Sequence, residues 1–167
     1  IQALAAKLAE EAGFRALYIS GAGVANASFG KPDLGLTTLE DVAEEVRRVC
    51  AATSLPVLVD IDTGWGRNLF SGRTIKTLHR AGAAAVQLED QVEMKRCGHR
   101  PGKRLVPVEE MVKRVRAAVK TRPGKDLVVM ARTDAAAVEG LDAAIRRAQA
   151  YVHAGADMIF AEALGTL

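Results

Sequence analysis

Three short stretches of the chain share one layout: EAGFRALYIS (residues 11–20), RAGAAAVQLE (80–89) and HAGADMIFAE (153–162). Each reads as a helix end, an Ala-Gly step and an apolar strand. Their glycines, Gly13, Gly82 and Gly155, recur about 70 residues apart. Two further apolar runs, LPVLVDID (55–62) and DLVVMARTD (126–134), fall between them. A strand therefore returns about every 35 residues, the length of one βα unit. Glycine at each helix end suits a left-handed cap, which a side chain disfavours.

The intervening segments have helical patterning. TTLEDVAEEVRRVCAA opens with Thr38 three residues before Asp41, a capping-box arrangement. It places Leu39, Val42, Ala43, Val46, Val49 and Cys50 on one face. PVEEMVKRVRAAVK starts with a proline followed by acids in the first turn, as a helix N-terminus prefers. RTIKTLHRAG and LDAAIRRAQAYVHAG behave similarly. Continuously apolar strands alternating with helices imply a parallel sheet covered on both faces.

An open doubly wound sheet and a barrel both satisfy that pattern, and the polar residues decide between them. Ser20, Asp60 and Asp62, Glu89 and Asp90, Arg132 and Asp134, and Glu162 all fall at the C-terminal ends of strands. In a TIM-type (β/α) barrel every such end converges on one rim, where the active site lies. An open sheet concentrates them at a single switch point. The expected fold is thus α/β, a TIM-type barrel. Eight units would need about 280 residues, against 167 here. The expectation is one partial barrel domain over 1–167 with about five of eight strands, the preceding helix and the C-terminal units missing.

The composition, 49% hydrophobic and 26% charged, is that of an ordinary globular chain. The formal charge of +3 comes from basic residues scattered over helices, with no stripe interleaved with aromatics, which argues against nucleic acid as a partner. No apolar run approaches the roughly 20 residues of a membrane span. Cys50 and Cys97 make no disulfide framework, so the expected compartment is the cytoplasm.

Four groups of residues could carry chemistry. Asp60 and Asp62, two apart on a strand, are expected to share a face. With Glu89 at the next strand's end they offer oxygen ligands, which suit Mg²⁺ or Mn²⁺ rather than zinc. SGAGVANASFGKPDLG after the first strand offers Ser20 and glycine N–H groups that could hold a carboxylate or phosphate. Arg132 could bind a carboxylate bidentately or form a salt bridge to Asp134 or Glu162. Finally, EMKRCGHRPGKRL (93–105) sets Cys97 among Lys95, Arg96, His99 and Arg100. Cationic neighbours favour a thiolate. With no apolar anchor between Met94 and Leu105, this loop is expected to open without substrate. His79 and His153 lack metal-ligand spacing and read as ordinary surface residues.

The loop KRCGHRPGK resembles the signature of the 2-methylisocitrate lyases, within the isocitrate lyase and phosphoenolpyruvate mutase superfamily. YISGAG, PDLGLTTLEDV, VDIDTGWG, GAAAVQLEDQ and VMARTDAAAVEGLDAAI are similar to that family's motifs in order and spacing. The resemblance covers nearly the whole chain. Arg96 and RPGK fit the methylisocitrate enzymes better than isocitrate lyase proper.

What the resemblance implies is specific. Ser20, Gly21 and Ala22 bind a substrate carboxylate; Asp60 and Asp62 hold Mg²⁺, with Glu89 in its shell. Cys97 is the catalytic acid/base, Gly98 contacts substrate through its backbone, and His99, Arg132 and Glu162 line the substrate site. The implied reaction is retro-aldol-type cleavage of 2-methylisocitrate to pyruvate and succinate by a cytoplasmic homo-oligomer, a tetramer in the full-length form. Ala22 and Ala161 depart from the family's usual glycine and proline. The family's last three strands, later carboxylate-binding residues and C-terminal helix lie beyond this sequence, so a chain of this length is expected not to close the barrel. The competing readings are an isocitrate lyase or other dicarboxylate or phosphonate enzyme of the superfamily, and an inactive fragment serving as a binding or oligomerisation module.

Overall fold

The computed structural model describes residues 2–165. Among them five strands alternate with helices: α1 (Ala3–Glu11), β1 (Leu17–Ile19), α2 (Leu39–Ala52), β2 (Val57–Asp60), α3 (Arg73–Ala81), β3 (Ala85–Glu89), α4 (Val108–Thr121), β4 (Val128–Thr133), α5 (Leu141–His153) and β5 (Met158–Ala161). The strands pair in sequence order, β1-β2-β3-β4-β5, all parallel. The order never reverses, so the sheet has no doubly wound switch point. It is the strand order of a TIM-type barrel.

Each helix forms where its sequence provides for it. Thr38 caps α2, its hydroxyl accepting from Asp41 N at 3.1 Å while the Asp41 carboxylate accepts from Thr38 N at 2.9 Å. Leu39, Val42, Ala43, Val46 and Val49 of that helix are buried against the sheet. Full burial of such a side chain stabilises by about 1.5–3 kcal/mol, so this stripe, more than helix propensity, holds α2 in place. Pro107 caps α4 one residue before the helix begins, with Glu109 and Glu110 in the first turn. The start of the glycine-bearing stretch after β1 is helical. Residues Gly21–Gly23 form an α turn and Val24–Ser28 a π turn. Ser20 nucleates the coil by accepting from Gly23 N at 3.3 Å, as an N-cap serine does.

The pleat sorts the strand residues into two sets. Leu17, Ile19, Val57, Val59, Val86, Leu88, Val129 and Ala131 join the core beneath the helices. The alternate positions Tyr18, Leu58, Asp60, Gln87, Met130, Arg132 and Phe160 line a cavity on the other side. Runs that read as uniformly apolar are thus two-sided, and the cavity face carries the polar exceptions.

Gly13, Gly82 and Gly155 all take positive φ, at 86°, 108° and 107°. Gly13 has open space where a Cβ would go, whereas a Cβ at Gly82 would stand 2.8 Å from Cys50 Cβ. Gly13→Ala should therefore cost about 1–2 kcal/mol, the penalty of left-handed backbone alone. Gly82→Ala should cost a further ~1–3 kcal/mol from overpacking against α2. Urea unfolding of the two variants checks the order; equal losses would mean that the α2–α3 contact is looser than described.

Candidate active site

Every strand delivers a polar group to the same end of the sheet. Ser20 follows β1, Asp60 and Glu89 close β2 and β3, Arg132 is the penultimate residue of β4, and Glu162 follows β5. Together with Tyr18, Ala22, Asp33, Lys95, Cys97, Gly98 and His99, four of these (Ser20, Asp60, Arg132 and Glu162) line a cavity of about 480 Å³.

Asp60 is fixed by backbone. Its Oδ2 accepts from Gly21 N at 3.2 Å and its Oδ1 from Asp62 N at 3.0 Å. The strand-period argument for Asp62 does not apply, because β2 ends at Asp60 and Asp62 sits in a left-handed turn with φ 46°. The turn nonetheless brings the two carboxylates together: a Cβ built on Gly21 would lie 3.1 Å from Asp62 Oδ1 and 3.4 Å from Asp60 Oδ2. Burial, then the Asp60 charge, pushes the Asp62 carboxyl up to about 6, although Lys95 opposes the rise. Glu89 is also pushed well up, chiefly by burial, with Arg132 opposing.

The glycine N–H groups expected to be free are partly engaged: Gly21 N serves Asp60 and Gly23 N serves Ser20. Arg132 takes the salt-bridge option. Its Nε and Nη2 donate to the two oxygens of Asp134 at 3.0 and 3.2 Å. Its Nη1 lies 3.5 Å from Glu162 and its Nε 3.5 Å from Glu89. Burial disfavours its charge, but Glu89, Asp134 and Glu162 more than offset that and hold the guanidinium above its ordinary range.

The cysteine loop is folded over this mouth and anchored by charge. The Lys95 ammonium is buried, hydrogen-bonded to Asp33 and 2.9 Å from Asp62 Oδ1. Lys103 is likewise buried, bonded to the Gly98 carbonyl and 3.1 Å from Asp134. Gln91 exchanges two bonds with the Arg96 backbone at 2.9 and 3.0 Å. The expectation that little holds the loop shut considered only apolar anchors; the anchors are polar. Two of the supposed neighbours of the thiol also face elsewhere. Lys95 turns to Asp33 and Asp62, and His99, 80% exposed, stands 3.4 Å from Glu162. Asp33 and Lys103 are the site residues that sequence reasoning gave no role; Lys95 was read only as a neighbour of the thiol, and Asp134 only as a salt-bridge partner of Arg132.

The donor set of Asp60, Asp62 and Glu89 is oxygen only. Among the described residues, both buried oxygens of Glu89 lack a hydrogen-bond partner, and Asp62 Oδ1 has only the Lys95 ammonium, at 2.9 Å. No three His, Cys, Asp or Glu side chains among them stand as a group able to hold a metal ion. Mg²⁺ does not require such a cage, since it binds through one or two carboxylates and completes its shell with water and substrate oxygens. These residues fit a hard divalent cation of that kind.

The phosphoenolpyruvate phosphomutase family model matches residues 2–166. A 2-methylisocitrate lyase of Shewanella oneidensis is 61% identical over 97% of this chain and 56% of its own length. A solved 2,3-dimethylmalate lyase, described as a member of the PEP mutase/isocitrate lyase superfamily, superposes with a TM-score of 0.93 at 42% identity, over 99% of this chain and 56% of that one. A phosphonopyruvate hydrolase solved with oxalate and Mg²⁺ has a TM-score of 0.86 at 33% identity, over 99% and 57%. The chain spans about half the length of the relatives it matches.

Gly98 bears on how tightly the loop closes. A Cβ there would collide with the Glu162 carboxylate and the Arg132 guanidinium. Gly98→Ala should lift the loop at a cost of about 1–3 kcal/mol. Tryptic cleavage after Arg96 should then accelerate by about tenfold, because cleavage follows the open population. An unchanged digestion rate would place the loop off the mouth.

Proposed function

The chain belongs to the phosphoenolpyruvate phosphomutase family, and within it we propose that the complete protein is a 2-methylisocitrate lyase, cleaving 2-methylisocitrate to pyruvate and succinate. The observation that carries this reading is the placement of Cys97. The loop brings its half-buried thiol into the cavity lined by Asp60, Arg132 and Glu162. The high identity to a relative bearing that name supports the same substrate.

Cleavage breaks one C–C bond. The substrate hydroxyl gives its proton to a basic group of the mouth and becomes the ketone of pyruvate, while the bonding pair stays on the succinate half; that proton replaces the one Cys97 donates when the site resets. A Mg²⁺ or Mn²⁺ ion held by Asp60 and Asp62, with Glu89 nearby, would supply a Lewis acid for the charge developing on the pyruvate oxygens. Cys97 gives its thiol proton to the carbanion-like carbon of the succinate half, completing the second product. Ser20, Gly21 and Ala22 orient one carboxylate of the substrate. Arg132, already held by Asp134, faces another, and Gly98 and His99 close the wall through the loop. The closed loop excludes water, so the carbanion meets the thiol rather than solvent. A homo-oligomeric, tetrameric and cytoplasmic form belongs to the same reading, which the resemblance supports. No described helix is long and apolar enough to cross a membrane.

In the complete protein, Cys97→Ser should retain substrate binding while turnover falls by about 10²–10⁴-fold, the usual worth of a positioned general acid. Pyruvate release from 2-methylisocitrate should also stop when divalent ions are chelated and return on adding Mg²⁺. Near-normal turnover in the serine variant would make Cys97 a bystander. Metal-independent release would remove the role given to Asp60, Asp62 and Glu89.

A further inference from the structure

The loop and the substrate-facing arginine hang from one carboxylate. Asp134, fully buried, accepts both arms of the Arg132 fork at 3.0 and 3.2 Å. The same Asp134 Oδ1 lies 3.1 Å from Lys103 Nζ, and that ammonium also donates to the Gly98 carbonyl, one residue from Cys97. Lys103 is therefore a side chain of the loop that has turned inward to grip its own backbone and the arginine's partner together. Nothing in the cleavage chemistry uses it. Its burial needs an explanation, because a desolvated ammonium is unfavourable unless it is paired and hydrogen-bonded.

Asp134 is itself anchored from outside the site. Its N–H donates to Asp90 Oδ1 at 3.0 Å. Asp90, also fully buried, accepts on its other oxygen from the Thr133 hydroxyl at 2.7 Å and the Tyr151 hydroxyl at 2.8 Å. Arg147 stands 3.5 Å from that oxygen and bonds the Val106 carbonyl at 3.0 Å, where the loop rejoins the fold. The turn carrying Asp134 is thus tied to α5, and Asp134 has little freedom to follow either of its cationic partners.

We propose that Lys103 and Asp134 form a positioning pair, in which one fixed carboxylate sets both the orientation of Arg132 and the closed position of the Cys97 loop. Loop closure and guanidinium alignment are then a single event. Substrate meets a thiol and a carboxylate-binding fork already in register. The catalytic consequence rests on the lyase reading above; the structural coupling does not.

The experiment measures alkylation of Cys97 by iodoacetamide across pH in the complete protein without substrate, resolved by peptide mass spectrometry with Cys50 as internal control. Lys103→Met should raise the high-pH plateau for Cys97 about tenfold, since modification follows the open population when opening is fast, and should leave Cys50 unchanged. A charge effect alone would move the midpoint of the pH profile and not the plateau, so a shifted midpoint with a parental plateau overturns the proposal. Lys103→Arg, which keeps the cation, should restore most of the protection. Should Lys103→Met fail to fold, Lys103→Gln is read in the same way. In the activity arm, Lys103→Met should lower kcat/KM for 2-methylisocitrate about 10²-fold, the scale of a misplaced catalytic group. A parental kcat/KM in a variant with a raised plateau would show that the pair does not position the chemistry. A parent protein without lyase activity, whose Lys103→Met variant still shows the raised plateau, would reject the substrate reading and leave the pair standing.

Discussion

Burying a carboxylate is unfavourable unless a cation or several hydrogen bonds accompany it, and this rim buries many of them. Asp60, Asp62, Glu89, Asp90, Asp134 and Glu162 are all nearly inaccessible. Backbone N–H groups satisfy Asp60, while hydroxyls and one N–H satisfy Asp90. The others depend on three buried cations, Lys95, Lys103 and Arg132. Two of those three belong to the cysteine loop. The loop is therefore part of the electrostatic balance of the mouth, and moving it away would leave Asp62 and Asp134 short of a partner.

The parallel scaffold makes such a concentration of charge possible. Each strand alternates between a core face and a cavity face, so a single polar substitution near a strand end reaches the mouth without disturbing the packing beneath. Register then decides who meets whom. Glu89 pairs with Arg132 across β3 and β4, and Asp60 with Gln87 across β2 and β3. Gln87 in turn donates to the Tyr18 hydroxyl at 2.9 Å, joining β3 to β1 across the cavity. Helix side chains also reach this end: Tyr151 and Arg147 of α5 approach Asp90, and Arg114 of α4 donates to the Gln91 carbonyl at 2.9 Å.

The architecture was legible in sequence because its signals are local. An Ala-Gly step, a capping box or a strand ending in an acid each occupies a few adjacent residues. The parts that were not legible depend on pairs far apart in the chain: Lys95 with Asp33, 62 residues away, and Tyr151 with Asp90, 61 away. A run such as KRCGHRPGKR reads as solvated because nothing within it shows an acid to bury against. The Asp60–Asp62 spacing failed as an argument for a different reason. Period-two reasoning presumes that the strand continues, and β2 stops between the two residues. The strand-end residues could be placed at one end of the sheet; Asp33, Lys103 and the way the charges are shared could not.

The left-handed backbone at Asp62 restricts what mutation can do there over evolutionary time. That conformation admits glycine readily, tolerates asparagine and aspartate, and penalises longer or branched side chains. A lineage drifting at this position discards the negative charge through asparagine or glycine more cheaply than it lengthens the side chain to glutamate, which would carry the charge further into the mouth. Change at this position therefore runs mostly toward keeping the carboxylate in place or giving it up.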